Sequence, residues 1–285
     1  MKTVISCCIV VSLFLVSGCV TKQDTFAVSS GGVKIVFNKE GSGEPAVLFI
    51  HGWSNNKSIW DAQMKYFSNR YEAVAMDLAG FGESGNNRKD WTIEAFANDV
   101  SSVIDELDLQ KVVLVGFSMG GPVAVEAANK LPDKVIGVVL VDNMQNVERK
   151  IPAQIIGKMD TVMMDLVNNP TREKLVQGGF VKRDPEGAFK NVLAMLNNPK
   201  IGWEESGKAT LQWQNERCTR ALSELKVPVV AINSDRLPTD VETFQKYVPS
   251  FKADIVPDVG HVIMWDAPDE FNRLLEQDIR EFVSD

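Results

Sequence analysis

One serine in this 285-residue chain stands where a side chain can be made to react. Gly116-Phe117-Ser118-Met119-Gly120 fits the pattern G-x-S-x-G, directly after the apolar run Val112 to Val115 and directly before a helix expected over Pro122 to Asn129. A tight strand-to-helix turn lifts a serine side chain at the edge of a sheet. It also demands small neighbours, because larger residues at 116 and 120 would collide with flanking backbone. The helix N-terminus then offers unpaired N–H groups that can stabilise negative charge. A hydroxyl becomes a nucleophile when a base takes its proton, and the chain has two histidines, His51 and His261. His51 ends an early strand in Ile50-His51-Gly52-Trp53, and His261 follows the last strand in Asp258-Val259-Gly260-His261. A base at the C-terminal edge of a sheet can meet a serine there, so His261 is the expected general base.

Other chemistries have less to work with. Asp77 and the glycines Gly80, Gly82 and Gly85 have the outline of a phosphate cradle, but no Lys-Ser or Lys-Thr pair follows them. No H-x-x-x-H pair or histidine cluster exists, so no metal is expected, and the chemistry calls for no cofactor. Cys218 has no histidine near it in sequence and reads as an inert packing thiol.

The elements that must position these groups alternate along the chain. Short apolar or alternating runs at Val33 to Asn38 and Ala46 to Ile50 flank a turn-rich connection and predict a hairpin. Lys57 to Asn69 has helical periodicity, Glu72 to Met76 is an expected strand, and Thr92 to Leu107 is an amphipathic helix with Thr92 at its N-cap. Strands at Val112 to Val115, Val135 to Val141, Val227 to Ile232 and Ala253 to Val256 are apolar on both faces, as parallel strands covered by helices must be. A helix over Asp269 to Phe282 closes the chain. The fold class is α/β, a mostly parallel central sheet flanked by helices.

One interval breaks the alternation. From about 147 to 222 there is no strand signal, and Ile155, Ile156, Met159, Val162, Met163, Leu166 and Val167 fall on one helical face. Such an insertion predicts a helical lid over the C-terminal edge of the sheet, where ligands of open α/β sheets bind. Trp203, Trp213 and the group Met159, Met163 and Met164 either line an apolar acyl pocket there or pack the lid on the core.

The first residues read as an address. Lys2 precedes an apolar run from Val4 to Val16, too short to span a bilayer but suited to a secretory signal. Val16-Ser17-Gly18-Cys19 resembles the lipobox of bacterial lipoproteins, which implies a signal peptide over 1–18, a lipidated Cys19 and a short tether over 19–29 before the domain at 30–285. The expected location is the bacterial cell envelope, with the membrane as a partner through the anchor. Val20 after the cysteine, rather than Asp, favours the outer membrane by the same resemblance. Cys7 and Cys8 would leave with the signal, so Cys218 alone remains and the core must hold the domain without disulfides.

Composition agrees with an ordinary folded domain: 45% apolar and 24% charged residues. The formal net charge of −8 argues against nucleic acid as a partner.

Over roughly residues 25–285 the chain resembles the α/β-hydrolase family. The marks are His51-Gly52-Trp53, the segment Asp77-Leu78-Ala79-Gly80-Phe81-Gly82-Glu83-Ser84, the GFSMG elbow and the late Gly260-His261, in that family's order. The resemblance implies Ser118 as nucleophile, His261 as base, and an oxyanion hole from the backbone N–H groups of Trp53 and Met119. It implies an acid between positions 118 and 261. Asp235, after the strand ending at Ile232, is the usual site, although Ile232 stands where the family commonly has glycine. Asp142, at the end of the preceding strand, is the alternative. His51 is expected to hydrogen-bond backbone. The implied activity is hydrolysis of a small, largely apolar carboxylic ester through an acyl-enzyme. The same triad serves C–C bond hydrolases, iminopeptidases and perhydrolases, and the scaffold can also serve as an idle surface binding protein. Relatives that need an aspartate at the elbow, such as haloalkane dehalogenases, are excluded by Ser118.

Overall fold

The computed structural model describes residues 25–284 apart from 155, 157, 159, 160, 162–164, 166, 167, 184 and 197–200. The expected signal segment, Cys19, Met164 and all of the expected lid face except Ile156 lie outside the described residues.

Eight strands make one sheet: β1 (Thr25–Ser29), β2 (Val33–Glu40), β3 (Ala46–Ile50), β4 (Glu72–Met76), β5 (Val112–Phe117), β6 (Val135–Val141), β7 (Val229–Ser234) and β8 (Lys252–Val256). Their spatial order is β1-β2-β4-β3-β5-β6-β7-β8. β1 and β2 pair antiparallel, as do β2 and β4, and every neighbouring pair from β4 to β8 is parallel. The period-2 alternation of the strands feeds two cores. On β3, Leu48 and Ile50 enter one core with Val74, Leu114 and Leu140, while Val47 and Phe49 enter the other with Ala75, Val113 and Val139. Helices α2 (Ile93–Glu106) and α3 (Gly120–Lys130) cover the first face, and α1 (Asp61–Phe67) and the C-terminal helix Pro268–Ser284 cover the second. Each large apolar side chain fully buried there stabilises by roughly 1.5–3 kcal/mol. Thr92 Oγ1 accepts from the Ala95 N–H at 3.2 Å and caps α2.

Two sequence expectations are corrected. The runs at 33–38 and 46–50 do not form a hairpin. β2 pairs with β1 and β4, and β3 lies between β4 and β5. All five residues of β3 are buried, so it needs a strand on each side and helices on each face, and the chain crosses over instead of turning back. The tether does not extend to Ser29 either. Thr25–Ser29 is an edge strand whose Ala27 and Ser29 point inward, and Ser29 Oγ donates to Asp99 Oδ1 at 2.6 Å.

Among the described residues, every element between β6 and β7 is helical: Arg172–Gln177, Pro185–Leu196, Trp203–Glu216 and Cys218–Glu224. Among the described residues, this insertion meets loops at the sheet's C-terminal edge around 178–183 and around 202–206, both described below.

Candidate active site

The turn between β5 and α3 is built from what its residues lack. Ser118 has φ 51°, the left-handed region that L-residues other than Asn and Asp seldom enter. A Cβ on Gly116 would come within 2.3 Å of the Gly120 carbonyl, and one on Gly120 within 2.5 Å of the Ile50 carbonyl. Glycine at both positions lets α3 begin directly against the end of β3. The Ser118 N–H is held by the Val141 carbonyl at 3.0 Å, and Gly121 N–H closes the turn on the Ser118 carbonyl. Asn143 Nδ2 braces the same bend from the next loop, donating to the Gly116 carbonyl at 2.9 Å.

His261 lies in the loop after β8, and its ring packs 4.7 Å, centroid to centroid, from the ring of Phe117, the residue before Ser118. Its Nδ1 donates to Asp142 Oδ2 at 2.6 Å. A carboxylate accepts only, so the contact fixes the tautomer and leaves the lone pair on Nε2. Asp142 follows β6 with φ 45° and is 1% exposed at its side chain. Its Oδ1 accepts from Ser234 N–H at 2.8 Å and Ser234 Oγ at 2.7 Å. Burial works against the carboxylate's charge, but His261 and Ser234 together hold its pKa below the ordinary aspartate value.

The first-choice acid is corrected by this geometry. Asp235 is exposed and accepts from the Asp258 N–H at 3.0 Å, bracing the turn before His261 instead of meeting the imidazole. The reason is register. β7 runs to Ser234, past the expected end at Ile232, and turns its last side chain onto Asp142. Asp142 meets Nδ1 from the neighbouring strand end.

His51 does what was expected of it. Nδ1 donates to the Gly52 carbonyl at 2.7 Å and Nε2 accepts from Leu78 N–H at 3.1 Å. Fully buried, it is held below the usual imidazole pKa by desolvation. Asp77 is equally committed: it accepts from Lys57 N at 2.6 Å, Lys57 Nζ at 2.8 Å and Glu83 N at 2.9 Å. Cys218 is buried, which pushes its thiol up to about 12 and keeps it protonated.

Trp53 follows the His51-Gly52 corner, and Met119 stands at the start of α3. Among the described residues, neither backbone N–H donates to a protein acceptor. The Trp53 side chain reaches the insertion: its indole N–H donates to the Trp203 carbonyl at 2.6 Å. Trp203 is itself buried, stacks on Phe81 and donates from Nε1 to the Gly80 carbonyl at 3.1 Å. Trp213 is buried and donates to Glu126 Oε1 at 2.7 Å. Both tryptophans therefore pack the insertion onto the core.

The insertion also holds the histidine loop. His261 N–H donates to the Gly179 carbonyl and Val262 N–H to the Phe180 carbonyl, both at 2.9 Å. Asp266 Oδ2 accepts from Gly260 N–H and Lys182 N–H, each at 2.7 Å, and Oδ1 from Arg183 N–H at 2.9 Å. Sequence reasoning missed Ser234, Arg236 and Asp266. No local pattern marks them, because each acts on a residue from another element. Among the described residues, no group of three or more His, Cys, Asp or Glu side chains could hold a metal ion.

A mostly parallel eight-stranded sheet, a serine at a positive-φ elbow after β5, and an acid–imidazole pair at the same edge define the α/β-hydrolase fold. Comparison with known proteins agrees. The profile of the Alpha/beta hydrolase family matches residues 47–274, and the chain belongs to that family. An uncharacterised protein of Mycobacterium tuberculosis is 36% identical over 110 residues, which is 39% of this chain and 32% of that protein. The chain thus spans about a third of the length of that curated relative. A bifunctional esterase/perhydrolase of Acinetobacter calcoaceticus is 27% identical over 223 residues, 74% of this chain and 81% of the relative. Among solved structures, a thermophilic esterase from Thermogutta terrifontis shares the fold with a TM-score of 0.76 at 21% identity, covering 91% of this chain and 99% of the esterase.

Proposed function

We propose that the protein is a serine hydrolase acting on a small, largely apolar carboxylic ester. The observation that carries this reading is the 2.6 Å contact between His261 Nδ1 and Asp142, beside a strained serine elbow. Ser118 Oγ attacks the ester carbonyl while His261 Nε2 takes its proton. The imidazolium is stabilised by Asp142, which stays ionised. The oxyanion is received by the N–H groups of Trp53 and Met119, each accounting for about 3–4 kcal/mol of barrier lowering. His261 then returns the proton to the leaving alcohol, and water, deprotonated by the same imidazole, releases the acid. The esterase relatives support the choice of ester over other acyl compounds.

A fluorophosphonate probe and a panel of aryl esters with lengthening acyl chains test the reading. The probe should modify Ser118, and Ser118→Ala should abolish labelling and cut turnover by about 10⁶-fold. Near-full turnover by that variant would rule the mechanism out.

We read Cys19 separately as a lipid attachment site that holds the hydrolase on the bacterial envelope, on the strength of Val16-Ser17-Gly18-Cys19 after an apolar run. Metabolic labelling with an alkyne fatty acid should mark the chain and be lost in Cys19→Ser. Equal labelling of both would refute the attachment.

A further inference from the structure

Asp142 has a second cationic neighbour. Arg236 Nη1 lies 3.4 Å from Oδ2, the oxygen that also receives His261 Nδ1. Its other arm, Nη2, donates to the Gly178 carbonyl at 3.2 Å, and a Cβ on Gly179 would come within 2.8 Å of Nε. Gly179 is the residue whose carbonyl receives the His261 N–H. The guanidinium is therefore fixed between the acid and the strip of the insertion that carries the histidine loop.

We propose that Arg236 is a positioning residue of this site, one that shares the Asp142 carboxylate with His261 and ties that carboxylate to the insertion at Gly178. This rests on the hydrolase reading above. A guanidinium on the same oxygen holds the carboxylate in the orientation that meets His261 Nδ1 and keeps that oxygen against the insertion. The planar fork makes the two contacts through separate nitrogens in a rigid geometry that a lysine ammonium does not reproduce.

The other charged groups around the histidine loop are already engaged. Lys182 Nζ pairs with Asp258 at 3.2 Å, Arg183 donates to the Asp258 and Pro257 carbonyls, Asp235 accepts from Asp258 N–H, and Asp266 is held by three backbone N–H groups. Gln145 Nε2 approaches Asp142 Oδ1 at 3.4 Å without charge. A change of charge at 236 leaves all of these in place.

The test is steady-state ester hydrolysis by the full chain, read together with the proton NMR signal of the His261 Nδ1–H that Asp142 accepts. In Arg236→Met kcat should fall about tenfold or more with KM within about threefold, and the Nδ1–H signal should leave its wild-type position. Arg236→Lys, which keeps the charge but not the fork, should stay well short of wild-type kcat. Should the methionine variant fail to fold, Arg236→Gln carries the same comparison. A neutral variant with wild-type kcat, or with an unmoved Nδ1–H signal, overturns the proposal. Fluorophosphonate labelling of wild-type Ser118 separates the two readings. An unlabelled serine with the displaced Nδ1–H signal counts against the hydrolase alone; a labelled serine with an unmoved signal counts against Arg236 alone.

Discussion

The imidazole of His261 and the carboxylate of Asp142, 119 residues apart in sequence, meet at 2.6 Å across the ends of two elements that are not neighbours in the chain. β6 delivers the acid and the loop after β8 delivers the ring, with β7 between them supplying Ser234 to hold the far oxygen. Asp142 is buried and Asp235 is not. That difference decides which carboxylate can hold an imidazolium in a low-dielectric site.

Asp142→Asn should therefore lower kcat by about 10³–10⁴-fold, because the amide can donate to Nδ1 and invert the tautomer. Asp235→Asn should stay within about tenfold of wild type, since its amide oxygen can still accept from the Asp258 N–H at this exposed site. Steady-state ester hydrolysis by the two variants checks this, and the reverse ranking would return the acid to Asp235.

Gly260→Ala should damage activity more than stability. Its Cβ would stand 2.5 Å from the Phe180 carbonyl, a backbone atom that cannot swing aside. The histidine loop must then move off the insertion, and a displacement near 1 Å costs about 10²-fold in turnover. The measurement is kcat together with the unfolding midpoint. A loss of stability with unchanged kcat would contradict it.

Trp203→Ala should reduce unfolding free energy by about 3 kcal/mol or more, by opening a cavity against Phe81 and leaving the Gly80 carbonyl without its indole partner. Urea unfolding gives the number. A change below about 1 kcal/mol would mean that this part of the insertion is not anchored to the core.

Asp278, buried on the C-terminal helix with Oδ2 unpartnered among the described residues, has its pKa pushed up to about 7 by desolvation, with Asp254 and Glu281 adding like charge. A folded-state value raised above the unfolded 3.8 means the native chain binds a proton that the unfolded chain has released. Stability must then fall as pH rises from about 4 through 7. Asp278→Asn removes this term, so its gain over wild type should be larger at pH 8 than at pH 5, by on the order of 2 kcal/mol. Equal gains at both pH values would show that the group does not titrate there.

Much of the site was legible in the sequence, because local chemistry is written locally. The elbow needs small residues two before and two after the serine, and Gly116 and Gly120 record that need wherever the chain goes. The loop-shaping role of His51 came with the family resemblance, and the lack of a Lys-Ser or Lys-Thr pair after Asp77 set that loop apart from a phosphate cradle. The parallel strands announced themselves through runs apolar on both faces, since such runs can be buried only between two helical layers.

What the sequence could not settle depends on which strand ends lie side by side. Two aspartates followed two strands, and only the register of β7, which ends two residues beyond its apolar run, turned Ser234 onto Asp142 and sent Asp235 to the Asp258 turn. The expected hairpin failed for a similar reason. Alternation marks a strand but not its partner, and a fully buried β3 belonged at the sheet's centre. Residue types and spacing determined the chemistry available to this protein. Tertiary structure alone chose which aspartate meets the imidazole, because pairing across a sheet is fixed by the burial of whole strands and not by distance along the chain.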